Sequence, residues 1–123
     1  MAGGSGTYEV SATGYANIQA AVNALIGDED GNAFTSKQQI VIDPAFGPFT
    51  ESPTLPSDSQ CLPTAQYPLE IITKTTGTKV EITGRSSYSE NTCPNIHFKE
   101  IKFIAAAGTP WDCIKMGQNS GLF

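Results

Sequence analysis

At 123 residues, with 12 acidic against 7 basic side chains and a net charge of −5, the chain is sized for one domain with one modest core. The basic residues are scattered singly from Lys37 to Lys115, so no basic stripe exists to neutralise phosphates; nucleic-acid binding is excluded as an expectation and anionic membranes are disfavoured. Charged residues are only 15% of the chain, while 12 Gly and 8 Pro separate short apolar runs, a pattern that points to a β-rich protein with frequent corners.

Met1 to Gly6 is rich in Gly and Ser and reads as a flexible lead-in to one domain over residues 7–123. Its composition is not that of a signal peptide, and no apolar run approaches the length of a membrane span, so no membrane insertion is expected. Synthesis in the cytoplasm, or a chain that has already lost its signal, fits this start. Thr7 to Ala12 alternates, with Tyr8 and Val10 on one face, and reads as a strand. Asn17 is placed to cap a short helix in which Ile18, Ala21, Val22 and Leu25 form one apolar stripe, and Gly27 stands where a glycine would end it.

The acidic stretch Asp28 to Lys37 has Asp28, Asp30 and Asn32 at the spacing of calcium-loop ligands. Ala33 stands where the loop needs its glycine, Gly31 is misplaced, and Gln39 stands where the bidentate acid belongs. A solvated surface loop is the reading, with no metal and no cofactor. Gln38 to Asp43 is a strong strand, Pro44, Gly47 and Pro48 turn the chain, and Phe49 to Glu51 resumes an extended run. Ser52 to Pro68 carries four prolines and reads as a long irregular loop. Strands follow at Leu69 to Thr73, Lys79 to Thr83 and Asn95 to Ala105. In the last, the apolar alternation slips between Phe98 and Ile101, which requires a corner at Lys99-Glu100 if both halves face one core. Cys113 to Met116 reads as a final short strand, followed by the apolar Leu122 and Phe123.

IQAAVNAL followed by IVIDPAFGPFTES resembles the N-terminal helix and first coil of pectinesterase-type proteins, with Gly47-Pro48-Phe49 in place of the usual Gly-Thr-Tyr and Glu51 near the usual glutamate. KVEITG and NIHFKEIKF are similar to further coil segments of the same pectin-lyase-like superfamily. The resemblance implies an all-β fold: a short right-handed parallel β-helix, or solenoid, with a short N-terminal capping α-helix. Ile82, Phe103 and Phe123 stand 21 and 20 residues apart, near the repeat of one solenoid coil. In that arrangement the helix covers one end, and the C-terminal end has no cap and offers an edge for pairing.

The resemblance brings no catalytic residue, because the esterases' aspartates, arginine and glutamines lie on coils beyond the matched region. Asp43, Asp58 and Asp112 have no second carboxylate two residues away on the same strand face, and turn-capping or solvated roles suit them better. His97 reads as an exposed strand residue. Trp111, Tyr88, Arg85 and Tyr67 are candidates for contact with a carbohydrate or partner; packing at a corner is the plainer role for the aromatics. Leu122, Phe123, Ile114 and Met116 are candidates for an interface. Cys61, Cys93 and Cys113 lack metal-ligand spacing and read as half-buried thiols, one disulfide with a leftover thiol being the other reading.

These features lead to a non-enzymatic structural or adhesive module that assembles with itself or a larger particle, such as a phage virion surface protein (capsid decoration or tail-associated). The alternative is the N-terminal part of a longer extracellular or cell-surface carbohydrate-active enzyme or adhesin. A small stand-alone lyase or esterase is a minor third.

Overall fold

Strands β1 (Thr7–Val10) and β2 (Gln38–Ile42) lie side by side and parallel, with helix α1 (Ile18–Glu29) between them in the chain. Adjacent parallel strands cannot be joined by a tight hairpin; they need a crossover, and α1 supplies it. The computed structural model describes residues 6–84, 86–87, 92–104 and 114–115. The expected flexible lead-in, residues 1–6, is described only at Gly6, which β2 holds: its carbonyl accepts from Gln39 N at 2.8 Å and its N–H donates to Gln38 Oε1 at 3.1 Å.

One adjacent residue and one distant residue begin α1. Asn17 is extended and its side chain accepts from Ala20 N at 2.8 Å, the N-cap bond its position predicts. Glu51 then reaches in from 33 residues down the chain, its two carboxylate oxygens accepting from Ile18 N at 3.0 Å and Gln19 N at 3.1 Å. Between them they satisfy three of the four N–H groups that a helix start leaves open, and the carboxylate sits at the positive end of the helix dipole. Ile18, Ala21, Val22 and Leu25 are buried, on the side of α1 that faces β1 and β2. Each of the three larger side chains gains roughly 1.5–3 kcal/mol from burial, more than a free helix of this length can supply for itself.

The helix does not stop at Gly27. It continues to Glu29 and leaves through two left-handed residues, Asp30 (φ 49°) and Gly31 (φ 80°), while Tyr8 Oη donates to Asp28 Oδ2 at 2.8 Å and ties the extra turn to β1. Gly27 is therefore an ordinary helical residue.

A four-stranded parallel sheet runs in the order β1-β2-β4-β7, with β4 at Leu69–Thr73 and β7 at Ile96–Lys99. A three-stranded parallel sheet runs β3-β5-β8, built from Phe49–Thr50, Val80–Thr83 and Ile101–Ile104. Ser86–Ser87 (β6) and Ile114–Lys115 (β9) form a further parallel pair. The chain passes from β7 to β8 through Glu100, which is left-handed (φ 57°), so the corner that the slipped alternation demands is present. Gly84 ends β5 with φ 148°, and a side chain there would drive into the carbonyl of Glu51.

The all-β expectation, a right-handed parallel β-helix with a capping helix, is corrected by this arrangement. The described chain is a mixed α/β structure of small parallel sheets and one helix, and that helix is a crossover within a strand–helix–strand unit. The apolar pattern misleads for a physical reason. Parallel strands separated by crossovers recur at the same intervals as solenoid coils: Ile82 and Phe103, 21 residues apart, are direct partners across β5 and β8. Spacing alone does not report how many strands share a sheet, or which of them a helix joins.

Every strand of the larger sheet turns alternate residues inward. One inward row is Tyr8, Ile40, Ile71 and Phe98; another joins Gln38, Leu69 and Ile96. Val80 and Ile82 of β5 belong to the same core, as do Leu55, Cys61 and Cys93 from the irregular segments.

Candidate functional site

The outward side of the larger sheet carries its polar residues in register. Thr7, Gln39, Glu70 and His97 form one row across β1, β2, β4 and β7. Gln39 Nε2 donates to Glu70 Oε1 at 2.9 Å, and Lys37 Nζ stands 3.5 Å from the same oxygen. The Gln39 hydrogen bond, followed by the charge of Lys37, holds the Glu70 carboxyl below its ordinary range against the opposing effect of partial burial.

Beside this row the chain makes a tight turn, Tyr67 N donating to Thr64 Oγ1 at 2.9 Å and Thr64 N to Tyr67 O at 3.0 Å. The turn sets half-buried Tyr67 next to Pro68. Together with Lys37, Gln66 and Glu70 they line an open groove of about 270 Å³. An aromatic ring flanked by amide, carboxylate and ammonium groups can stack on a sugar face and hydrogen-bond its hydroxyls. Of the candidates for carbohydrate or partner contact, Tyr67 is placed on such a groove; Trp111, Tyr88 and Arg85 lie outside the described residues. A second groove, of about 360 Å³, crosses the outer side of the smaller sheet between Pro44, Pro48, Lys79, Glu81 and Thr83.

The other distinctive surface is where the two sheets end at β7 and β8. Along the inward row, Ile40 is 0% exposed and Ile71 2%, but Phe98, the next residue in the row, is only half-buried. The smaller sheet repeats this: Val80 and Ile82 are buried, while their partners Ile101 and Phe103 are half-buried. Phe98 and Phe103 meet edge to face across the corner, ring centroids 5.6 Å apart. Among the described residues, β7 and β8 are the last strands of their sheets. Of the interface candidates, Ile114 is in β9, paired with Ser86, while Met116, Leu122 and Phe123 lie outside the described residues.

No family model, no curated protein and no solved structure matches this chain. Its chemistry is therefore read from its own residues. Asp43 is spent on a turn, its Oδ1 accepting from Ala45 N at 3.0 Å, and Asp58 is exposed in the Pro-rich loop; Asp112 is outside the described residues. His97 is exposed and lies opposite Glu70 in register. Asp28 is helical and bonded to Tyr8, so the calcium-like spacing is not laid out as a loop. Among the described residues no three His, Cys, Asp or Glu side chains gather as a metal site, and no helix is long and apolar enough to cross a membrane.

Lys37, Gln39, Gln66 and Glu70 do not stand out in the sequence. The alternation in QQIVI and LEIIT does place Gln39 and Glu70 outward. It cannot show that β2 and β4 pair in the register that sets them side by side.

Proposed function

We propose that the chain is a non-catalytic structural and adhesive module that associates with copies of itself through the β7/β8 side, as a surface component of a larger particle such as a phage virion. The observation that carries this reading is the loss of burial from Ile71 to Phe98 and from Ile82 to Phe103, at equivalent positions of successive strands. Half-covered apolar side chains beside the last strand of a sheet favour the addition of another strand, because backbone pairing and apolar burial are then gained together. A second copy presenting the same edge can make that contact symmetrically. Sedimentation of the purified chain tests it: association that weakens in a Phe103→Glu variant supports the reading, and a monomer at every concentration removes it.

The Tyr67 groove favours a second reading, a glycan-contacting module of an extracellular carbohydrate-active or adhesin protein. Titration with neutral oligosaccharides, followed by chemical-shift changes at Tyr67, Gln39 and Glu70, decides it. Under this reading Tyr67→Ala abolishes the response; an unchanged spectrum at saturating sugar discards the site.

A further inference from the structure

Cys61 and Cys93 come from two irregular segments, 32 residues apart, and meet in the core with their sulfurs 3.9 Å apart. Both are 0% exposed and neither is in a disulfide. Cys61 belongs to the Pro-rich segment 52–68, which behaves as a strap across the molecule. At one side Gln19 holds it, accepting from Thr54 N at 2.7 Å, and Phe34 N donates to Leu62 O at 2.8 Å. At the other side it meets the chain entering β7: Cys93 N donates to Pro56 O at 3.0 Å, Ser57 bridges Thr92, and Asn95 Nδ2 donates to Pro63 O at 3.3 Å. The two thiols thus lie at the seam that these hydrogen bonds close.

We propose that Cys61 and Cys93 form a redox-closable pair, whose disulfide locks the strap to the segment that leads into β7. The sulfurs have to close from 3.9 Å to the ~2.05 Å of a disulfide bond. The electron acceptor is a disulfide oxidant, R–S–S–R. One protein thiol gives its proton to water, and its thiolate attacks the oxidant, forming a mixed disulfide and expelling RS⁻. The second protein thiolate then displaces the remaining RS⁻. Two thiols become one S–S bond, and their two electrons and two protons end on two molecules of R–S–H.

The surroundings make this step slow and its product durable. The hydrogen bond with Cys61, and after it burial, push the Cys93 thiol well above the ordinary thiol range, so its thiolate is scarce while the strap is closed. An oxidant reaches the pair only when the strap lifts, and a reductant faces the same barrier afterwards. A chain made in a reducing cytoplasm folds with both thiols intact and acquires the lock after release into an oxidising medium. The lock sits next to β7, so it also holds the edge through which we propose the chain associates, but its chemistry is independent of that reading.

The test equilibrates the full chain in glutathione buffers of increasing oxidised fraction, quenches with acid, alkylates and maps the peptides by mass. The expected result is a Cys61–Cys93 cross-linked peptide with Cys113 alkylated, and a melting temperature higher by roughly 10 °C that dithiothreitol reverses. Cys113→Ser keeps the shift, and Cys61→Ser and Cys93→Ser each abolish it. If either serine variant fails to fold, the peptide map of the unaltered chain still decides. Cys61 and Cys93 remaining alkylated in the most oxidised buffer, or either one joined to Cys113 instead, overturns the proposal.

Discussion

Glu51 shows how one side chain can join distant parts of this chain. Its carboxylate receives the first two N–H groups of α1, while its own backbone N–H donates to Thr83 O at 3.1 Å in the smaller sheet. Glu51→Ala leaves both helical donors without their acceptor and is expected to cost about 1–2 kcal/mol of unfolding free energy, with Glu51→Gln losing less; urea denaturation measures both. Asn17 was legible as a cap because its partner is three residues away. Glu51 was legible only as a motif position, because its partners lie 33 and 32 residues back. Glu70 contributes to the acid response, as does Glu9, each carboxyl being held below its ordinary range. The folded pKa of Glu70 is lowered, so its contribution is fully present above the unfolded value and is lost as pH falls through the folded one. Thermal melts from pH 6 downward are expected to fall in that acid range, and Glu70→Gln flattens the drop.

At the scale of elements, α1 is the joint on which the larger sheet depends, since it sets β1 beside β2. Leu25 is fully buried on its inner stripe, and Leu25→Ala is expected to cost roughly 2–5 kcal/mol through lost burial and the cavity left behind. A loss under 1 kcal/mol in the same denaturation assay would mean that the helix is not docked as described. The stripe of α1, the alternation of β2, β4 and β5, and the corner at Glu100 could all be read from the sequence, because each rests on a local period of about 3.6 or 2 residues. What joins α1 to the strands could not. A short amphipathic helix has the same stripe whether it plugs the end of a stack or crosses between parallel strands, and only the pairing of Tyr8 with Ile40 separates the two. β6 leaves no mark in the sequence for a simpler reason: two serines within a polar stretch carry no strand signal. The Cys61–Cys93 encounter was also out of reach, because it depends on how the strap crosses the molecule.

For the molecule as a whole, the proposed role rests on the β7/β8 side, where, among the described residues, the inward side chains of Phe98, Ile101 and Phe103 are half-buried rather than buried as those at β2, β4 and β5 are. Together these three offer the kind of surface that a second strand layer buries. The polar row at Gln39, Glu70 and His97 lies on the opposite face of the larger sheet from Phe98. Sedimentation velocity across a wide concentration range, on the unaltered chain and on Phe103→Glu, tests this association. The expected result is a concentration-dependent oligomer that the substitution converts to a folded monomer. A single monomeric species for the unaltered chain at every concentration, or an oligomer indifferent to Phe103, would contradict it.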